Sequence, residues 1–237
     1  MKHLRTTIIA VAVGTALAPA AQAQLTANIG AVSNYIWRGV SQTDNKAAVQ
    51  GGVDYGYEGF FVGTWVSNVD FNYDQDNPNA EVDLYGGYGG SVDDFSYKAG
   101  LYYYAYPGGK DLNFLEIGVS GAYQATKEVS LSAAVNYTVS GEAPDNAPFN
   151  PGDIYGQVGV TVALPQDFSV GLTYGYYHFD DANLDYPWVG ASLSKNAGDW
   201  GTFGLNISEA WEDANVIAGN NDNSENLKVW VSWVKTF

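Results

Sequence analysis

From Leu25 onward, apolar side chains alternate with small or polar ones, and the alternation carries on to Phe237. A period of two is that of a strand with two unlike faces. The clearest case sets Val129, Leu131, Ala133, Val135, Tyr137 and Val139 against Ser130, Ser132, Ala134, Asn136, Thr138 and Ser140. Phe168, Val170, Leu172, Tyr174 and Tyr176 stand in the same way against Ser169, Gly171, Thr173 and Gly175. The rhythm predicts twelve strands, over residues 25–42, 47–57, 60–71, 80–90, 95–106, 112–126, 129–140, 153–164, 168–179, 184–195, 200–211 and 226–237. No run has helical spacing.

The first segment is different. Lys2 and Arg5 precede a short apolar core at residues 8–17, and Ala21-Gln22-Ala23 offers a small-x-small cleavage site. This is the three-part pattern of a secretory leader, and the apolar run is far short of the ~20 residues that span a bilayer as a helix. The division expected is a leader over residues 1–23 and one barrel domain over residues 24–237, in the bacterial outer membrane after cleavage following Ala23.

Charge removes several classes. The chain has 26 acidic residues, none of them in residues 1–23, against ten basic ones. Without Lys2 and Arg5, eight basic residues face 26 acidic ones, a net charge near −18. Nucleic acid requires basic patches, so it is not an expected partner. Without Cys there is no disulfide, thiol catalysis or Cys-based metal site. Aromatics make up 15% of the chain, which argues against an acidic disordered chain.

Alternation alone fits both a soluble sandwich and a membrane barrel. Three features favour the barrel, with its apolar face outward. Aromatics gather toward strand ends, as girdles do. Short connections (58–59, 91–94, 126–128, 165–167, 196–199) alternate with longer polar ones (72–79, 141–152, 212–225). The last strand is amphipathic and ends in Phe237, like the assembly signal of outer-membrane proteins, although Lys235 departs from that pattern. The fold class expected is all-β, a transmembrane antiparallel barrel of about twelve strands. Its partners would be outer-membrane lipid, periplasmic chaperones and the barrel-assembly machinery.

The segment Ser33-x-Tyr35-x-x-Arg38-Gly39-x-Ser41, with Gln50-Gly51-Gly52-x-Asp54-Tyr55 and Gly63-x-Trp65-x-Ser67-x-Val69-Asp70, resembles the TorF-type porin family of proteobacteria, formerly a family of uncharacterised secreted proteins. The motifs lie in the first third of the chain. The resemblance implies an outer-membrane barrel that passes solutes, and it names no solute.

Arg38 is the sole Arg after residue 23. With Tyr35 and Trp37 facing lipid, Arg38 faces the lumen, where parity also places Gln50, Asp54, Asp83, Lys98 and Glu116. These six are the candidate pore-lining or constriction residues. Two readings of Arg38 stay open: a charged filter, or an Arg38–Asp54 pair that plugs a narrow barrel. His178, the sole His after the leader, should sit on the outer wall opposite Tyr186 or Pro187 and about Asp153. No Ser stands there, so the lipid-enzyme alternative lacks its nucleophile, and no catalytic residue is assigned. Asp70, Asp74 and Asp76 are weak oxygen ligands for Ca²⁺, in a run without the Gly and final Glu of an EF-hand loop. No metal site or cofactor is assigned. The function expected is passive diffusion of small solutes or ions with weak cation preference. The alternatives are the outer-wall lipid enzyme and a plugged structural or adhesive barrel.

Overall fold

The computed structural model describes residues 23–72, 76–144, 147–180, 184–211, 214 and 227–237. Twelve strands close into an antiparallel barrel. They are β1 (Gln24–Val32), β4 (Ala48–Tyr57), β5 (Phe60–Asn68), β6 (Ala80–Val92), β7 (Phe95–Ala105), β8 (Phe114–Gln124), β9 (Val129–Gly141), β10 (Ile154–Leu164), β11 (Phe168–Phe179), β12 (Leu184–Asn196), β13 (Thr202–Ala210) and β14 (Lys228–Thr236). Each strand pairs with its sequence neighbour, and β1 closes the ring on β14 with Asn28 opposite Thr236. Among the described residues closure leaves no barrel strand with an unpaired edge, which is what a sheet surrounded by hydrocarbon requires.

The apolar face points outward. Leu25, Val49, Phe60, Val119, Leu172 and Val229 are exposed on the wall, while their neighbours Ser130, Thr138 and Asn206 on the other parity are buried. Tight turns fit the short connections: Glu58-Gly59 joins Tyr57 to its partner Phe60 with both turn residues at positive φ, as a type I′ hairpin demands. Short turns and both barrel termini share one end, because Ala27 and Phe237 exchange backbone hydrogen bonds at 2.8 and 3.3 Å. The longer connections share the other end.

The first predicted strand departs from expectation. The predicted strand over residues 25–42 stops at Val32. The chain then leaves the wall and folds into the barrel, and every residue from Asn34 to Thr43 is buried. Within this inward segment, β2 (Ile36–Trp37) and β3 (Val40–Ser41) form a two-stranded hairpin. Tyr35 and Trp37 therefore face the interior, not lipid. The reason is local. Tyr35-Ile36-Trp37 is a consecutive apolar run, which a one-sided wall strand cannot accommodate. Arg38-Gly39, at φ 49° and 85°, supplies a two-residue turn.

The interior has two zones. Toward the long loops, Tyr104, Phe114, Tyr155, Tyr177, Tyr186 and Trp188 pack around the hairpin as an aromatic core. Toward the short turns the inner wall carries small polar residues such as Ser120, Ser169, Ser192 and Ser232. The expected small, polar lumen holds for this second zone only.

Loss of Phe237 removes both of its hydrogen bonds to Ala27 at the seam. Deletion of Phe237 is expected to lower the heat-modifiable, folded fraction in membranes relative to the full chain, read as band shift on unheated gels. An unchanged fraction would show that the seam closes without it.

Candidate functional site

The inward hairpin places one charge at its tip. Arg38 occupies the first turn position at φ 49°, where a side chain other than Gly, Asn or Asp is disfavoured. What holds it there is Glu116 on β8. Arg38 Nη1 donates to Glu116 Oε1 at 2.7 Å and Nη2 to Oε2 at 2.6 Å. Both side chains are buried, at 5% and 1% exposure. This is the bidentate fork geometry that gives the strongest charge-assisted bonds. Glu116 also accepts from Asn136 at 3.0 Å, and from Tyr104 and Tyr177 at 3.3 Å. The guanidinium stands 4.1 Å from the ring centroids of Trp37 and Tyr155 and 4.9 Å from Tyr177. A buried pair costs desolvation of both ions, and saturation of the remaining acceptors by neighbouring donors offsets that cost.

Gly39 completes the tip. A Cβ there would stand 2.7 Å from Trp188 Cβ and 3.2 Å from Ala210 Cβ, at a φ of +85°. Behind the tip, the loop is stitched to itself. Asn34 Oδ1 accepts from Ser41 at 2.6 Å, and Thr43 Oγ donates to the Lys46 carbonyl at 2.6 Å. Lys46 then reaches Asp70 in the next loop at 2.7 Å. Its hydrogen bonds to Asp70 and Asp44 raise the ammonium above its ordinary range, and the bond from Lys46 lowers the Asp70 carboxyl. Below the tip, Arg38, Tyr155, Gln157, Ser132 and Asn206 line a cavity of about 60 Å³.

The six residues singled out from the sequence do not form one ring. Arg38 meets Glu116, and the expected Arg38–Asp54 pair does not form. Asp54 accepts from Tyr85 at 2.8 Å, which places a neutral donor where a guanidinium was expected. Gln50 lies near Ser67 at 3.4 Å, and the Lys98 ammonium stands 4.6 Å from the Phe61 ring. Asp83 is 2% exposed beside Glu81 on β6. Glu81 shares the parity of Asp83 and was legible on that ground. Tyr155, Tyr177 and Asn136 share the inward parity of their strands as well, but nothing in local period marks them as neighbours of Arg38 and Glu116.

The acidic loop does not gather its carboxylates. Asp70 is engaged by Lys46, Asn77 and the Asn72 amide. Asp76 is exposed, and Asp74 lies outside the described residues. His178 stands opposite Asp185 and Ile154, where loop counting expects Tyr186 or Pro187 and about Asp153. Its Nδ1 is 2.8 Å from Asp185 Oδ1, and Tyr176 donates to Asp185 Oδ2 at 2.7 Å. Among the described residues no Ser hydroxyl hydrogen-bonds His178.

A family described as "Bacterial protein of unknown function (Gcw_chp)" matches residues 16–237. The chain belongs to the Gcw_chp family. No curated protein matches it. Among solved structures, this Gcw_chp chain is similar to one titled "KdgM porin", at 9% identity and a TM-score of 0.62, over 90% of this chain and 99% of that one. It is also similar to the NanC porin, at 13% identity and a TM-score of 0.60, over 90% and 98% of the two chains. At such identities the likeness is one of fold, a small porin-type barrel matched over nearly its whole length.

Removing one member of a buried pair leaves the other charged and alone, at a cost of about 3–5 kcal/mol, whereas replacing both by apolar groups is often neutral. Glu116→Leu is expected to lower the unfolding free energy of detergent-refolded protein, read by urea titration, by an amount in that range. Arg38→Met with Glu116→Leu should recover more than half of it. A double variant as unstable as the sum of the singles would show that the two residues do not act as a pair.

Proposed function

We propose that this chain is an outer-membrane, porin-like channel that passes small solutes or ions by passive diffusion, with a weak preference for cations. The observation that carries the reading is an inner wall that carries small polar side chains toward the short turns, enclosed by an apolar outer wall. Cleavage after Ala23, insertion by the barrel-assembly machinery, and the finer placement among TorF-type porins belong to this reading. The pore-lining role of Gln50, Asp54, Asp83 and Lys98 belongs to it too, with Arg38 and Glu116 as the constriction.

The cation preference follows from the mouth. Asp70, Asp74, Asp76, Glu142, Asp145, Asp180, Asp181, Glu212, Asp213, Asp222 and Glu225 fall in the long connections or beside them, and Lys46 and Lys110 are the bases there. Charge at an entrance acts over about one Debye length, ~10 Å at 0.1 M salt and ~3 Å at 1 M. The mouth should therefore concentrate cations at low salt and lose that effect at high salt.

The inward hairpin favours a second reading, a structural or adhesive barrel whose plug blocks conduction. It is supported by the burial of residues 34–43 and the bidentate lock on Arg38. The two readings part in planar bilayers, where a plugged barrel gives no steps and Arg38→Ala opens it. The outer-wall enzyme has less support, since His178 has Asp185 but no nucleophile among its described hydrogen-bond partners.

Three outcomes are expected. In a KCl gradient the reversal potential should show cation preference at about 0.1 M total salt that fades toward 1 M. Arg38→Ala should raise conductance or cation preference. Anion preference, or a preference indifferent to salt, would overturn the mouth-charge account. Epitopes placed within residues 141–152 or 212–225 should be detected on intact cells. Detection only after permeabilisation would reverse the orientation.

A further inference from the structure

Strand β6 begins just below the connection 69–79, and its second and fourth residues are Glu81 and Asp83. Two residues apart on a strand, they share the inward face. Glu81 is 1% exposed and Asp83 2%. The Glu81 carboxylate lies within side-chain hydrogen-bonding reach of Asp83, of Tyr106, and of Tyr35 from the inward segment. Yet no protein hydrogen bond reaches Glu81 Oε2 or either carboxylate oxygen of Asp83. Arg38, the nearby cation, has both terminal nitrogens on Glu116. Among the described residues no Lys, Arg or His forms an ion pair with Glu81 or Asp83.

Two adjacent acidic groups, buried with three of their four oxygens lacking a donor, are costly unless a positive charge joins them. We propose that Glu81 and Asp83 hold a hard divalent cation of the Mg²⁺ or Ca²⁺ class at the loop end of the lumen, beneath Tyr35. The chemistry of the donors selects the class. Carboxylates and phenolic hydroxyls are hard oxygens, which suit Mg²⁺ and Ca²⁺ over softer metals. No third carboxylate, His or Cys joins them among the described residues. A set of one or two carboxylates, with waters completing the shell, is the usual mode of Mg²⁺. The cation lies between the wall strand β6 and Tyr35, so it ties the inward segment to the wall at a second point, separate from Arg38–Glu116.

The probe is Tb³⁺, whose emission is sensitised by nearby aromatic rings. Tyr35 and Tyr106 adjoin the pair, and Trp65 stands 5.5 Å from Tyr35. Full-length, detergent-refolded protein is stripped with EDTA, then titrated with Tb³⁺ at neutral pH. One saturating class of sensitised emission is expected, competed by Mg²⁺ or Ca²⁺. It should weaken by about tenfold or more in Asp83→Asn and in Glu81→Gln, since loss of even an outer partner of a metal costs 10–100-fold. Asp70→Asn, in the loop, should leave it unchanged. Heat-modifiable mobility reports folding, and Asp83→Asn carries the test should Glu81→Gln fail to fold. Emission that is absent, or equal in wild type and Asp83→Asn, would overturn the site. The first result would leave the pair sharing a proton, and the second would assign binding to the acidic loops. No conductance enters this readout, so a barrel that proves closed to ions leaves the site standing.

Discussion

Arg38 and Glu116 are the constraint on which the interior depends. An arginine at the first position of a type I′ turn is disfavoured by its backbone, and a buried guanidinium is disfavoured by its charge. Both penalties are met at one place. The carboxylate of β8 accepts two parallel bonds, and three rings stand near the cation. Once that tip is seated, Gly39 lies against Trp188, and Trp37 joins Tyr104, Phe114 and Tyr177 in an aromatic cluster. The barrel thus has a packed core at one end, where a simple pore would have only solvent.

This arrangement divides labour between two surfaces. The outer wall is apolar and exposes Val, Leu, Ile and aromatic side chains to its surroundings. The inner wall changes character along its length, from aromatic near the long loops to Ser, Thr and Gly near the short turns. On the proposed channel reading, any solute path would pass the hairpin, so what is admitted would be set by how residues 34–43 sit more than by the barrel's strand count. Lys46 and Asp70 anchor the outer base of that segment through an exposed contact, weak by comparison with the tip.

The wall was legible in the sequence because its physics is periodic. In β9, Leu131, Val135 and Tyr137 point outward while Ser130 and Thr138 are buried, as alternation requires. Turns such as Glu58-Gly59 announced themselves by residue type. The hairpin inside did not. Tyr35-Ile36-Trp37 breaks the alternation, but flanking strand-like runs masked the break. The turn signal was a single glycine after an arginine, where asparagine or aspartate is usual. The site was legible only in part. Parity placed Arg38, Asp83 and Glu116 inside, yet it could not join Arg38 to Glu116, since a contact across 78 residues leaves no trace in local period. The count that set His178 opposite Tyr186 or Pro187 overshot Asp185 because loop geometry, not strand period, fixes register across a turn.

The long span between Arg38 and Glu116 also bears on the order of events during folding. Arg38 follows the first wall strand, whereas Glu116 lies on the sixth, β8, and its supporting Asn136 on the seventh, β9. Until those strands are in place, a desolvated guanidinium has no counter-charge, and contacts so distant in sequence form slowly. The lock at the hairpin's tip is therefore complete only once β8 and β9 are in place. The segment that finally fills the lumen is made early in the chain and used late.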